Sequence, residues 1–367
     1  MARIVYALSG QGRGHSSRTL AMAAALRIQG HEMLFCCGGT AQEVLESHGE
    51  SVVTVPHLKT VIRDNAVLLA PTLVANWPFI ANIDRIVAQL VDRLVDFRPD
   101  LVISDFEAFS WRAADRLGVP TISFNHQQVV TETIYDLPAE HWLDAQLAKA
   151  IINVIAPKNP RRLLLTSFFF PPLRDPNNTH LVPPIIRAEV EQLAPVRGEH
   201  TLVYFNNQAE DAREFRDLLQ RDGRPYIVYN QPIPENPTQY PNIVFKRPSL
   251  DEFLEDLATC RAVLCTAGFT LISEALYLTK PSLAIPNRGI FEQTINALFL
   301  ERESLGKAII GRPLTASDLA DFHREQHRYV RASQARKTIG NAEALSVIEE
   351  ILPRIGASIR VPALPLS

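Results

Sequence analysis

The stretch Cys265-Thr266-Ala267-Gly268-Phe269-Thr270-Leu271-Ile272-Ser273-Glu274-Ala275-Leu276 decides the fold. Ala262-Val263-Leu264 leads into it as an apolar run that ends, after Cys265, in a small-residue turn followed by helical spacing. The segment therefore reads as buried strand, glycine turn, helix. Such a turn makes an anion site. Gly268 lets the backbone approach a ligand, and the first-turn N–H groups, which have no acceptor inside the helix, point at whatever sits there. Thr270 adds a hydroxyl donor, and Glu274, about a turn further along the same face, can accept from a sugar diol. Phosphate then carboxylate at that spacing suggests a nucleotide. The same letters also fit an ordinary strand-to-helix turn with Glu274 on the solvated helix surface.

Working outward, Pro281-Ser282-Leu283-Ala284-Ile285-Pro286 reads as the next strand, and Phe291-Glu292-Gln293-Thr294-Ile295-Asn296-Ala297 opens another helix. The whole run TAGFTLISEALYLTKPSLAIPNRGIFEQTINALFLE, from Thr266 to Glu301, resembles the donor-nucleotide half of GT-B glycosyltransferases, particularly those that attach sugars to natural products or lipids. The resemblance implies that Thr266, Ala267, Gly268 and Thr270 hold the donor's diphosphate and Glu274 its ribose. It assigns the sugar hydroxyls to Glu292 and Gln293. Thr266 stands where many members carry His, so a cationic contact to the diphosphate is missing or supplied elsewhere.

A chain of 367 residues is long for one core, and 46% hydrophobic with 21% charged residues suits a water-soluble globular protein of two domains. A net charge of -3 without a basic stripe excludes nucleic acid as the expected partner. Cys36, Cys37, Cys260 and Cys265 lie in or beside apolar runs, as reduced core thiols do, and a cytoplasmic location is expected. The opening MARIVYALSG is too short an apolar run for a signal peptide, and no stretch approaches the roughly 18 to 20 apolar residues that span a bilayer. Peripheral contact with the inner face of the membrane stays open.

At the N-terminus, Ile4-Val5-Tyr6-Ala7-Leu8 ends in Ser9-Gly10-Gln11-Gly12-Arg13-Gly14-His15, and Ser16 to Ile28 has helical periodicity. This is strand, glycine loop, helix, opening a doubly wound domain. A dinucleotide site is discounted, because His15 occupies the place of the third fingerprint glycine and the next apolar segment ends in Cys-Cys-Gly-Gly with no carboxylate for a ribose. What remains is a permissive loop that presents His15 at the mouth of a parallel sheet, where it can take a proton from a hydroxyl; a loop or capping histidine fits equally. Asp105 falls at the carboxyl end of the strand-like Leu101-Val102-Ile103-Ser104, on the same sheet edge. It reads either as a partner for His15 or as a helix N-cap.

LVISDFEAFSWRAADRLGVPTISF resembles the GT-B acceptor domain, and that resemblance implies His15 as general base with Asp105 as its orienting partner. A carboxylate so placed fixes the imidazole tautomer and stabilises the imidazolium formed on proton transfer. GQGRGHSSR, SDFE and Asn125-His126-Gln127-Gln128 together look like a little-studied prokaryotic branch of these enzymes. The similarity implies that Gly12 and Gly14 lie against the donor and His126 and Gln127 in the acceptor pocket; a helix-capping polar loop reads the same. Residues 61 to 97, with a helical run over Ile80 to Phe97, fall by the same resemblance in the variable region that helps form the acceptor cleft; core packing explains their apolar residues equally well. Leu163 to Phe170 reads as a buried strand in preference to a membrane-docking loop.

Proline-rich sequence from Pro171 to Gly198 marks the domain boundary near residue 180. Residues 1–180 are the acceptor-binding domain and 181–367 the donor-binding domain, both α/β and Rossmann-like, facing across a cleft in the GT-B manner. The last helix is expected to cross back onto the first domain. By resemblance, Asn206 and Asn207, after the strand-like Thr201 to Phe205, face the diphosphate, and Phe245 lies near the base; Asn206 and Asn207 also fit simple turn residues. The implied activity is hexosyl transfer with inversion, from a nucleotide-diphosphate sugar, a UDP-sugar foremost, to a lipid or other hydrophobic small molecule. No cofactor and no metal are required by this scheme: Asp84, Asp92 and Asp96 read as helix surface. An epimerase or hydrolase of the same fold would need further carboxylates around the donor sugar, and a nucleotide-binding protein without turnover would have no use for a His15 and Asp105 pair.

Overall fold

The structure is a computed structural model that describes residues 1–63, 66–206, 213–336 and 338–356, the last four as backbone only. In the first half, β1 (Arg3–Leu8), α1 (Gly14–Ile28), β2 (Glu32–Cys37), α2 (Gly39–Ser47) and β3 (Val52–Thr54) step outward from the sheet's centre. A hairpin of β4 (Ile62–Arg63) and β5 (Ala66–Val67) then leads into α3 (Leu69–Ala81) and α4 (Ile83–Phe97). The chain returns to the other side of β1 with β6 (Leu101–Asp105), α5 (Ser110–Leu117), β7 (Thr121–Asn125), α6 (Val129–Glu132), α7 (Trp142–Ile155), β8 (Arg162–Thr166) and β9 (Thr179–Val182). The sheet is parallel throughout, in the order β3-β2-β1-β6-β7-β8-β9. Its apolar strands are buried on both faces, as a helix-covered parallel sheet demands.

The second half repeats the plan. After α8 (Ala188–Glu191) come β10 (Thr201–Tyr204), α9 (Arg213–Asp222), β11 (Tyr226–Tyr229), β12 (Ile243–Lys246) and α10 (Leu250–Thr259). The decisive segment is β13 (Ala262–Cys265) and α11 (Phe269–Tyr277), followed by β14 (Ser282–Ala284), α12 (Phe291–Arg302), β15 (Gly306–Ala308), α13 (Ala316–Gln334) and α14 (Asn341–Gly356). The order β12-β11-β10-β13-β14-β15 is again parallel. In each sheet the chain reverses its direction of travel at one point, between β1 and β6 and between β10 and β13. Open α/β sheets bind ligands outside the strand ends at such points. The four loops that matter, after β1, β6, β10 and β13, all leave from there.

Two apolar clusters cover the two faces of the first sheet. Another covers one face of the second sheet, while a fourth runs through both domains and joins Phe168 and Phe169 to Phe269, Ile295 and Phe299. Phe169 stacks on Phe299 with centroids 4.1 Å apart. The run Leu163 to Phe170 thus begins in β8 and continues into Phe168 and Phe169, which bury themselves between the domains, while Phe170 is exposed. Ala344, Val347 and Ile348 of α14 pack with Met22 and Leu26 of α1, so the chain's last helix lies on the first domain.

Two sequence-based boundaries move. The division at residue 180 cuts β9, which pairs with β8 from Thr179 to Val182; the first sheet therefore extends to Val182. The helical run over 80–97 is two helices broken at Asn82, whose side-chain amide donates to the Pro78 carbonyl.

Candidate active site

The loop after β1 carries the first group of residues. Gly12 adopts φ +82, which side-chain-bearing residues rarely take, and Gly14 starts α1 with His15 second. Parallel pairing sets Leu8 opposite Asp105, and Ser9 N–H donates to the Asp105 carbonyl at 3.0 Å. Strand register alone thus brings the carboxylate beneath the helix start. His15 Nδ1 lies 2.9 Å from Asp105 Oδ1.

Arg18, one turn after His15 on the same face of α1, completes the group. Its Nε donates to Asp105 Oδ2 at 2.6 Å and its Nη2 to Oδ1 at 2.6 Å, a two-pronged fork on a fully buried carboxylate. Nη2 also lies 2.7 Å from His15 Nδ1. Burial by itself would raise the Asp105 carboxyl, but the Arg18 guanidinium and then His15 reverse this and hold it below the usual carboxylate range. Phe106, directly after Asp105, takes φ 55, a costly left-handed conformation for a bulky residue and one found most often at functional sites. Gln127 Nε2 is 3.4 Å from His15 Nε2, so Gln127 stands beside the imidazole, while Glu107 turns away and caps α5 through Phe109 and Ser110 N–H.

The glycine turn between β13 and α11 faces this group. A Cβ built on Gly14 would collide with Thr270 Oγ1 and lie 3.3 Å from Thr270 Cβ, so the starts of α1 and α11 touch. Gly268 precedes α11 as its N-cap. Thr266 and Ala267 are buried and offer only backbone to a ligand; the Ala267 carbonyl accepts from Asn296 Nδ2 at 3.0 Å. Glu292, in the first turn of α12, interacts electrostatically with Arg18 and with His126. The acidic-Gln pair therefore splits. Gln293 is buried and accepts from Asn287 N–H at 2.9 Å, bracing the loop after β14, and Asn287 Nδ2 in turn donates to Asn206 Oδ1 at 2.9 Å.

Three expected site residues are held in packed surroundings. Glu274, which the sequence offers either as a ribose carboxylate or as solvated helix surface, is not solvated surface: it is buried and paired with Arg187, Nε to Oε1 at 2.8 Å and Nη2 donating to Oε2 at 3.0 Å. Burial raises its carboxyl, and Arg187 opposes that rise. His126 does not line an open pocket. It stacks on Phe269 at 3.9 Å, with Nδ1 2.7 Å from the Thr166 carbonyl and Nε2 2.7 Å from Asn296 Oδ1, and is buried between the domains. Phe245 is half in the core, edge-on to Tyr240. Asn207 lies outside the described residues. Among the described residues no group of three or more His, Cys, Asp or Glu is placed to hold a metal ion.

Two doubly wound α/β domains, joined by a shared core and meeting at their glycine turns, make this the fold of the GT-B glycosyltransferases. The chain belongs to glycosyl transferase family 1, whose family model matches residues 2–325, and it is a glycosyltransferase. It is 24% identical over 328 residues to an uncharacterized glycosyltransferase of Methanosarcina acetivorans, an alignment that covers 84% of this chain and 85% of that protein. Over 114 residues, 29% of this chain and 28% of the relative, it is 32% identical to the UDP-N-acetylglucosamine--N-acetylmuramyl-(pentapeptide) pyrophosphoryl-undecaprenol N-acetylglucosamine transferase of Clostridioides difficile. Among solved structures, Phytolacca americana UGT2 complexed with UDP-2fluoro-glucose and pterostilbene superposes with a TM-score of 0.68 at 14% identity, covering 96% of this chain and 99% of that one.

Proposed function

We propose that this glycosyltransferase moves a sugar from a nucleotide-diphosphate sugar, with UDP as the nucleotide, to a hydroxyl of a lipid or other hydrophobic small molecule, with inversion and without metal. The observation that carries the reading is the contact between Gly14 and Thr270, which puts the residue before His15 against the first turn of the donor helix. In this scheme His15 Nε2 takes the proton of the acceptor hydroxyl as its oxygen attacks the anomeric carbon. The bond to the diphosphate breaks on the opposite side, and its electron pair leaves on a phosphate oxygen that meets the first-turn N–H groups of α11 and the Thr270 hydroxyl. Glu274, paired with Arg187, has lone pairs left for a ribose hydroxyl. The Clostridioides relative names UDP-N-acetylglucosamine and an undecaprenol carrier, and the Phytolacca structure holds a UDP-sugar analogue; both support the donor class.

The acceptor class is supported by α3. Leu73, Val74 and Trp77 are 64%, 74% and 66% exposed on a helix with no charged residue, in the region assigned to the acceptor cleft. Such a surface fits the headgroup boundary of a bilayer, where a lipid-borne acceptor would wait, on the cytoplasmic side. No helix among the described residues is long and apolar enough to cross a membrane. The test is incubation with a panel of nucleotide sugars, following released nucleoside diphosphate with and without a lipid extract, in the presence and absence of a chelator. His15→Ala should abolish transfer and leave donor binding nearly intact. Loss of donor binding by that variant would remove the base assignment.

A further inference from the structure

We propose that Arg18 is a positioning residue for the base: its fork fixes Asp105 against His15 and cancels the carboxylate's charge, so that His15 rests neutral with its proton on Nδ1 until an acceptor hydroxyl supplies a second. The inference rests on His15 being the base, as proposed above.

The geometry is a closed triangle. Arg18 Nη2, Asp105 Oδ1 and His15 Nδ1 lie 2.6, 2.7 and 2.9 Å from one another, with Arg18 Nε closing on Oδ2 at 2.6 Å. An imidazole beside a lone buried carboxylate would collect a proton in the resting enzyme, because the ion pair is favoured where nothing else satisfies the carboxylate. A base already protonated cannot act. Arg18 removes that drive. With Arg18 and Asp105 summing to zero charge, the imidazole has less reason to charge before the reaction, and the carboxylate still accepts the Nδ1 proton.

The triangle admits two proton arrangements. Either Nδ1–H donates to Oδ1 and leaves Nε2 free, or Nη2–H donates to Nδ1 and puts the proton on Nε2, which would disable the base. Asp105 favours the first: an ionised carboxylate only accepts, so Oδ1 at 2.9 Å calls for a proton on Nδ1, and Gln127, 3.4 Å from Nε2, can donate to the lone pair left there. Other ionisable groups around the triangle are Tyr6, buried beside Asp105 and Arg18, His126 of the first domain, and Glu292 of the second, which acts electrostatically on Arg18 and His126.

The experiment is nitrogen-15 NMR of the histidine rings in the full-length protein, with His15→Gln assigning the His15 signals. The wild type should show a neutral His15 with Nδ1 protonated at pH 7.5. In Arg18→Met the His15 imidazolium should persist to a pH higher by about one unit or more. The acid limb of kcat/KM should rise with it, while the donor KM stays within about twofold. Arg18→Lys, which keeps the charge without the fork, should restore the pH range of the wild type but show both neutral tautomers. A wild-type ring protonated on Nε2 overturns the proposal, as does an Arg18→Met ring that charges at the same pH as the wild type. If Arg18→Met fails to fold, a single Nδ1–H tautomer in Arg18→Lys overturns it instead. The NMR readout needs no turnover. If His15 is not the base, His15→Ala keeps its activity, and the ring measurements still report on Arg18.

Discussion

Gly14 and Thr270 touch across the domain junction, with no room on Gly14 for even a methyl group. Thr270 is β-branched on a helix, so its χ1 has few alternatives and the clash cannot be relieved by rotation alone. Gly14→Ala should therefore wedge the two helix starts apart and lower kcat/KM about a hundredfold, since misplacement by roughly an ångström costs that much. Thr270→Ala removes the colliding oxygen and leaves Cβ at 3.3 Å, a tight but tolerable approach. The double variant should recover part of the loss even though Thr270→Ala alone removes the hydroxyl proposed to meet the diphosphate. Steady-state kinetics of the three variants checks this, and a double variant no better than Gly14→Ala would mean that the contact does not gate the reaction.

Glu274 and Arg187 form a buried ion pair, and the partners are not equivalent. Arg187→Ala leaves a buried carboxylate alone and should cost about 3 to 5 kcal/mol in urea unfolding. Glu274→Gln removes the charge but keeps a shape that can accept from Arg187, and should cost about 1 to 2 kcal/mol. If Glu274 also holds the ribose, the Gln variant should raise the donor KM several-fold with kcat little changed. A Gln variant with an unaltered donor KM would confine Glu274 to the domain interface.

The glycine turns, the strands that feed them, and the His15 and Asp105 pairing could be read from the sequence because each depends on local spacing or on the ends of parallel strands. Arg18 carries a local signal of the same kind. It lies three residues after His15 on a helix, and i, i+3 positions share a face. Arg187 could not be found this way, since 87 residues separate it from Glu274 and only the packing of α11 against the interdomain segment brings them together. His126 lies deeper than its sequence context suggests for a related reason: a polar loop after a strand end looks solvated until another domain covers it, and Phe269 and Asn296 do so here. The break at Asn82 is hidden because Pro78 is tolerated inside α3, and the Asn82 side-chain amide donates to the Pro78 carbonyl at the helix end.

Burial lowers the proton affinity of His126, despite favourable contributions from Glu292, Asn296 and Thr166. A histidine whose folded value lies below its unfolded value of about 6.5 stabilises the fold fully above that pH and loses its contribution as the pH falls through the lower folded value. The unfolded chain then binds a proton that the native chain does not. Wild-type stability should accordingly fall from about pH 6.5 downward, and His126→Gln should flatten that slope by up to about 1.4 kcal/mol per pH unit. His57, His200 and His323 are lowered as well, so the quantity to measure is the difference between wild type and variant in urea unfolding from pH 5 to 7.5. A difference that does not change with pH would show that His126 does not titrate in this range.

Leu73, Val74 and Trp77 project from α3 with little burial, so their loss should leave stability within about 0.5 kcal/mol. On a bilayer each would bury apolar surface worth roughly 1.5 to 3 kcal/mol, and each removal should weaken binding by tenfold or more. The net charge of -3 gives the protein no overall attraction to anionic lipid, which makes the apolar term the one to remove. Sedimentation with vesicles of phosphatidylethanolamine and phosphatidylglycerol should therefore pull down the wild type and leave Leu73→Ser with Trp77→Ser in the supernatant. That double variant should retain transfer to a short-chain, micelle-free acceptor while losing transfer to the same acceptor embedded in vesicles. Equal rates on both acceptors would assign the α3 surface to the acceptor cleft alone, with no part in docking to a bilayer.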